Sequence, residues 1–208
     1  IKVVGARFDK EGITTRIYMP EDLGWYDRVM NFINTVLNDP VSRRYTDVVA
    51  VHGYDLDGKT GNSYQASTWM NMFHAGAQYG LPLWMTETSG YPNTWEGAMA
   101  LAQAIHFGLR YGNISAWLWW SISGDRNSAD YCLIFGGNYP TSRYTVSKHF
   151  YRFVRPGAVR IDCESDDPDV LVVAFKHPVQ QTETLILINR SGLEKTITLN
   201  GSELPAEW

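Results

Sequence analysis

Charge and long apolar runs are both scarce in this 208-residue chain, and each scarcity excludes a class of protein. Charged residues make up only 19% of the sequence, with a formal net charge of −4. This acidic balance argues against a nucleic-acid partner, because phosphate binding needs a basic face. No apolar run approaches the roughly 20 residues of a membrane-spanning helix. The sequence also lacks zinc, phosphate-loop and nucleotide motifs, so neither a metal nor a cofactor is predicted.

Cysteine is also scarce, and its two positions leave the compartment open. Cys132 and Cys163 could form one disulfide or remain two free thiols. The chain opens at Ile1 without an initiator Met or a visible signal peptide. We therefore expect a processed or cut N-terminus, and a missing leader carries little information.

Aromatic residues, by contrast, are abundant. They form 13% of the chain and include eight Trp and twelve Tyr. Aromatic side chains fill protein cores, and their flat faces also line carbohydrate-binding clefts. Composition alone leaves both interpretations open.

Strand and helix patterns alternate through the first three quarters of the chain. Apolar periodicity predicts four strands and the helices between them. This alternation is typical of a parallel sheet with helical crossovers. Four such units make half of an eight-fold barrel, although an open four-stranded sheet is the alternative. The predicted strands are 13–19, 47–52, 81–86 and 114–120; the predicted helices are one that ends at Gly12, 25–37, 67–79, 95–111 and 146–153.

Short strands joined by turns follow, and they predict a separate antiparallel module. The predicted domains are therefore a half-barrel at 1–155 and a partial side β-domain at 156–208. The long stretch 121–145 is predicted to be a functional loop, since it exceeds the usual length of a connection. The predicted strands of the side domain are 158–162, 170–176, 184–189 and 195–199.

A single carboxylate marks the functional end of the predicted sheet. The strand 81–86 ends at Glu87, and a small polar turn follows. In a (β/α) barrel this position lies at the mouth, where chemistry is done. Side chains alternate along a strand, so Glu87 is predicted to share a face with Met85 and Leu83.

The neighbouring strands end in side chains that complement a carboxylate. Tyr54 is predicted to share a face with His52, and Trp120 with Leu118. If these faces line a barrel interior, a carboxylate, a phenol and an indole meet at its rim. The phenol can orient the carboxylate and the indole can lie under a sugar ring. That combination suits nucleophilic attack at an anomeric carbon.

Four segments resemble glycoside hydrolase family 30 and follow one another along the chain in the family's order, and the resemblance runs over nearly the whole chain. They are Trp84–Ser89, His52–Tyr54, Ala116–Trp120 and Phe150–Ile161. The last segment is the most specific, because it resembles the family's joint between the barrel and the side β-domain.

The resemblance implies a secreted retaining β-glycosidase with a (β/α)8 barrel and a side β-sandwich. The predicted strands are then the fifth to eighth of the barrel. Glu87 matches the family's nucleophile, and Tyr54 matches the tyrosine that orients it. The implied substrate is a polysaccharide or oligosaccharide, most closely of the xylan type, with no metal or cofactor. Residues predicted to contact it are Trp120, His52, Tyr91, Trp95, Tyr131 and Arg126.

Two departures from the family pattern limit this interpretation. The family's acid/base is a Glu that follows an Asn on the fourth strand, and no Asn-Glu pair precedes Glu87. Glu21 follows the predicted fifth strand and is not expected to substitute. The glucuronoxylan branch carries an Arg pair directly after the eighth strand, whereas here Arg126 comes several residues later.

We therefore expect a portion of a longer enzyme, inactive alone, whose other barrel half is supplied in cis or in trans. The alternatives are a non-catalytic glycan-binding or scaffolding module, and a hydrolase of β-1,6- or β-1,4-linked glucan. Asp55 and Asp57 flank a glycine-rich loop and favour a solvated turn over a cation site.

Overall fold

The computed structural model describes residues 1–23, 26–54, 65–125 and 131–201. Its elements follow the predicted alternation. The helices are α1 (Lys2–Glu11), α2 (Tyr26–Leu37), α3 (Pro40–Arg44), α4 (Gln65–Ala77), α5 (Trp95–Tyr111) and α6 (Ser142–Tyr151). The strands are β1 (Tyr18–Pro20), β2 (Val48–His52), β3 (Leu83–Glu87), β4 (Ala116–Trp117), β5 (Ser123–Gly124), β6 (Ile134–Phe135), β7 (Tyr139–Pro140), β8 (Val159–Ile161), β9 (Val170–His177) and β10 (Thr182–Asn189).

The first four strands form one parallel sheet in the order β1-β2-β3-β4. Helices connect successive strands, which is the arrangement of half a (β/α)8 barrel. α1 ends as predicted at Gly12, whose φ of 66° is in the left-handed region that favours glycine. β1 and β4 are shorter than the alternating segments that predicted them.

The sheet and its helices share one buried core. Val49 and Val51 of β2 and Leu83 and Met85 of β3 are fully buried in it. Their partners on α2 and α4 include the fully buried Trp69. These strand residues therefore face the helices, and the other face of the sheet corresponds to the barrel interior. The helix residues of this cluster are Val29, Ile33, Leu37, Trp69, Met72 and Ala75.

The predicted facing of β3 is wrong, because Leu83 and Met85 point to the helices. Trp84 lies on the opposite face, where its ring centroid is 6.3 Å from that of Tyr18. Register explains how Glu87 still faces β2. Val51 pairs with Met85, but the next β2 residue, His52, pairs with Glu87. This bulge inserts Thr86 and turns Glu87 to the face that carries His52.

The side domain is a three-stranded antiparallel sheet in the order β10-β9-β8. It packs on the barrel helices through a second core, which joins Leu101 and Ile105 of α5 to Val173 and Phe175 of β9. The fourth predicted strand, 195–199, is wrong, because the described residues 195–201 are irregular.

Two further differences concern segments predicted to be irregular. The predicted loop 121–145 contains a small sheet, in which β6 pairs parallel with β5 and antiparallel with β7. α3 was not predicted, although Asp39 caps it and Pro40 occupies its first position. Asp before Pro is a helix-start signal, and here it directly follows a helix stop.

Candidate functional site

Glu87 is the last residue of β3, at the carboxyl end of the parallel sheet. The hydroxyl of Tyr54 donates a hydrogen bond of 2.7 Å to its Oε1. The backbone N–H of Gly53 donates to the Glu87 carbonyl at 2.7 Å, which fixes the two strand ends together. The Glu87 side chain is 26% exposed, so the carboxylate is both held and accessible.

His52 lies between two carboxylates. Its Nδ1 is 3.6 Å from Glu87 Oε1, and its Nε2 is 3.3 Å from Glu21 Oε2. The other Glu21 oxygen accepts a short hydrogen bond from the Thr86 hydroxyl. Only 14% of the His52 side chain is exposed. The residue predicted to contact substrate is thus placed mainly against the two carboxylates.

Sequence reasoning gave Thr86 no role and set Glu21 aside as an acid/base. The available signal was the position of Glu21, directly after β1 at the carboxyl end of the sheet. The bulge at Thr86 has no sequence signature of its own.

Three predicted substrate-binding aromatics are well exposed. Trp120 is 56% exposed, Trp95 is 73% exposed and Tyr131 is 54% exposed. The backbone N–H of Trp120 donates to the Thr88 carbonyl at 2.9 Å, so the backbone of Trp120 lies beside the turn that follows Glu87. These placements leave the three aromatic faces available to a ligand.

The prediction that Tyr91 is a rim platform is wrong. Its side chain is 1% exposed, and its ring is 5.9 Å from that of Trp119, between centroids. A ring that is enclosed by protein cannot stack on a sugar. Arg126, the remaining predicted contact, lies outside the described residues, as do Asp55 and Asp57.

A buried arginine supports the segments around the site. Arg143 of α6 is fully buried. Its guanidinium donates to the carbonyls of Tyr91 and of Cys132, the latter at 2.9 Å from Nη2. It thereby ties the segment after Glu87 to the segment after β5. Carbonyl partners of this kind satisfy a buried charge that would otherwise be costly.

Among the described residues, no group of three or more His, Cys, Asp or Glu side chains could hold a metal ion. Cys132 and Cys163 are free thiols, with Cys132 buried. Burial raises the pKa of the Cys163 thiol. In the part of the chain described by the structure, no helix combines the length and the apolar character needed to cross a membrane.

Comparisons with known proteins show what the sequence and the fold are similar to. Residues 157–206 match the glycosyl hydrolase family 30 beta sandwich domain. In an alignment 208 residues long, the chain is 30% identical to glucuronoxylanase XynC of Bacillus subtilis. The alignment covers 94% of this chain and 45% of the relative. The chain thus spans less than half the length of that relative.

Solved structures agree on the fold. The glycoside hydrolase family 30 subfamily 8 xylanase Xyn30A from Clostridium acetobutylicum is 25% identical, with a TM-score of 0.71 over 92% of this chain and 44% of that one. The family 30 endoxylanase from Clostridium papyrosolvens has a TM-score of 0.70 at 24% identity, over 86% of this chain and 42% of that one. With the β-sandwich match and the XynC homology, they identify the parallel sheet as strands five to eight of a barrel joined to its side β-domain. Residues 157–206 thus match the β-sandwich domain of glycoside hydrolase family 30, and the chain as a whole is similar to enzymes of that family.

Proposed function

We propose that this chain supplies the nucleophile of a retaining glycoside hydrolase that cleaves β-linked xylan. The hydrogen bond from Tyr54 to Glu87, at the mouth of a family 30 barrel, carries this proposal. The names of its relatives support the substrate class, since they include a glucuronoxylanase and two xylanases.

In this mechanism Glu87 attacks the anomeric carbon and forms a glycosyl ester, while the glycosidic oxygen leaves with a proton from the acid/base. Water, deprotonated by that same acid/base, then cleaves the ester. Among the described residues, the contacts of Glu87 from Tyr54 and His52 both go to Oε1. We therefore assign Oε2 as the attacking oxygen.

The acid/base must come from a residue other than Glu21. Retaining enzymes place their two carboxyl groups about 5–5.5 Å apart, across the scissile bond. Both Glu21 oxygens are engaged, one by Thr86 and one by His52. A carboxylate turned to its own strand neighbours is poorly placed to protonate a leaving group. The other half of the barrel, in cis or in trans, is the expected source.

Covalent trapping in the full natural protein tests the nucleophile. A 2-fluoro xyloside with a good leaving group should accumulate as a glycosyl-enzyme, and mass spectrometry should find the added sugar on the peptide that contains Glu87. Glu87→Gln should lower xylan turnover by at least about 10³-fold, because the covalent step loses its nucleophile.

The matched control is Glu194→Gln, which removes an exposed carboxylate of the side domain and should leave turnover unchanged. Proton NMR of the first product should show the β-anomer. Label on another residue, an inverted product or full activity of Glu87→Gln would contradict the proposal. Parallel assays on β-1,6-glucan and β-1,4-glucan test the substrate class.

A further inference from the structure

Glu21 occupies a backbone position that does not favour its residue type. Its φ is 57°, in the left-handed region where glycine and asparagine fit more readily than longer side chains. Its N–H donates to the Ala50 carbonyl at 3.0 Å, which fixes it to the β2 edge. A glutamate in this conformation points to a use for its side chain.

That side chain connects the three strands that form the candidate site. Glu21 follows β1, accepts from Thr86 of β3 through Oε1, and faces His52 of β2 through Oε2. Thr86 is the extra residue of the bulge in β3, between the paired Met85 and Glu87. One carboxylate thus holds both the residue next to Glu87 and the imidazole opposite it.

The distances define the orientation of the imidazole. The His52 Nε2 to Glu21 distance of 3.3 Å is within hydrogen-bonding range, whereas the Nδ1 to Glu87 distance of 3.6 Å is longer. A neutral ring has one N–H, and the shorter contact directs it to Glu21. A cationic ring has two, and one of them still faces Glu21. A proton on Nε2 is thus compatible with both charge states of the ring.

We propose that Glu21 is a positioning residue that keeps the proton of His52 on Nε2 and so fixes the Nδ1 edge of the ring against Glu87. The effect of this positioning on catalysis rests on the proposed function of Glu87. The positioning of His52 is independent of that function, because it involves only hydrogen bonds among Glu21, His52 and Thr86. Metalloproteins use a comparable device for histidines that bind a metal, in which a carboxylate fixes the tautomer of the ring.

Nitrogen-15 NMR of the imidazole tests the arrangement directly, in the full natural protein labelled on histidine. The His52 resonances are assigned by their loss in His52→Gln. In the parent protein Nε2 should carry the proton. In Glu21→Asn, a side chain that suits the left-handed backbone but is too short to reach His52, the unprotonated-Nε2 tautomer should appear.

Two matched variants distinguish a positioning role of Glu21 from a general disturbance of the local structure. Glu21→Gln keeps an amide oxygen that can accept from Nε2–H, and it should restore most of the parent signal. Asp22→Asn removes the adjacent carboxylate, which pairs with Arg28 at 2.8 Å, and should leave the His52 signal unchanged. A parent ring without a proton on Nε2, or a Glu21→Asn spectrum identical to the parent, would overturn the proposal.

Kinetics of the same variants measure the consequence for Glu87. Glu21→Asn should lower kcat by about 10- to 100-fold, as expected for misplacement of a catalytic group. KM should change by less than about twofold, since uniform substrate binding is untouched. A raised KM with unchanged kcat would instead make Glu21 a substrate contact and overturn the proposal. If the labelled protein shows the NMR difference but no Glu87 glycosyl-enzyme, the proposed function fails and the Glu21–His52 arrangement stands.

Discussion

The phenol of Tyr54, two residues past the end of β2, donates a 2.7 Å hydrogen bond to the carboxylate at the end of β3. Hydrogen bonds to an ionised group are stronger and shorter than neutral ones. This bond orients Oε1 and leaves the rest of the carboxylate to the cleft. The relationship gives the most direct test of the site by substitution.

Tyr54→Phe should lower kcat by about 10- to 100-fold, because a hydrogen bond to a charged group contributes roughly 1.5–3 kcal/mol. Steady-state kinetics on xylan in the full natural protein measures the effect. Tyr139→Phe is the control, since Tyr139 is 56% exposed and lies on β7. Equal kcat values for Tyr54→Phe and the parent would contradict an orienting role.

Trp120→Ala should weaken binding of a xylo-oligosaccharide by about tenfold, because roughly 50 Å² of lost apolar contact corresponds to a little over 1 kcal/mol. Trp120→Phe keeps a flat face and should recover much of the affinity. Isothermal titration with the Glu87→Gln protein separates binding from turnover. Identical affinities for the Ala variant and the parent would place the sugar elsewhere.

Gly97→Ala should destabilise the protein by about 1–3 kcal/mol, the usual range for overpacking. A Cβ on Gly97 would lie 2.0 Å from the Pro92 carbonyl oxygen, in the segment that connects Glu87 to α5. Backbone on both sides of the clash leaves little room for adjustment. Chemical denaturation measures the change. Gly192→Ala is the control, because nothing lies within 4 Å of its added Cβ, and it should be close to neutral.

The buried His106 should make the protein less stable to unfolding in acid. It is 4% exposed, and its Nε2 is 2.9 Å from the Val172 carbonyl, which joins α5 to β9. Burial lowers its pKa below the ordinary value, and nearby Arg110 and Arg190 act in the same direction. The unfolded chain therefore binds the proton more readily than the folded one. This contribution is complete above about pH 6.5 and is lost as the pH falls through the folded pKa.

Denaturation midpoints between about pH 8 and about pH 5 measure this dependence, over the range where an unfolded histidine titrates. His106→Gln, whose amide can still donate to Val172, should flatten the curve. His149→Gln, at an exposed position of α6, should leave its shape unchanged. If the parent's denaturation midpoint varied with pH no more than that of His106→Gln, His106 would not be the source of the acid sensitivity.

Sequence periodicity predicted the bounds of an element correctly where the signals for that element are local. α5 occupies the predicted 95–111, because its capping residue Thr94 directly precedes the segment and the apolar periodicity lies within it. The antiparallel pair β9 and β10 also follows its pattern. Prediction was wrong for 195–199, where β propensity was present but no strand formed. A strand needs a partner, and periodicity cannot show whether one is available.

Residue order and local periodicity are enough to predict the β/α alternation, the position of Glu87 at a strand end and the tyrosine and tryptophan at the ends of the neighbouring strands. The direction in which Glu87 faces depends on how β2 and β3 pair in the folded protein. Strict alternation placed it with Leu83 and Met85, which point to the helices. The bulge at Thr86 turned it to His52 instead. Register is a property of two paired strands, so one strand's sequence does not contain it.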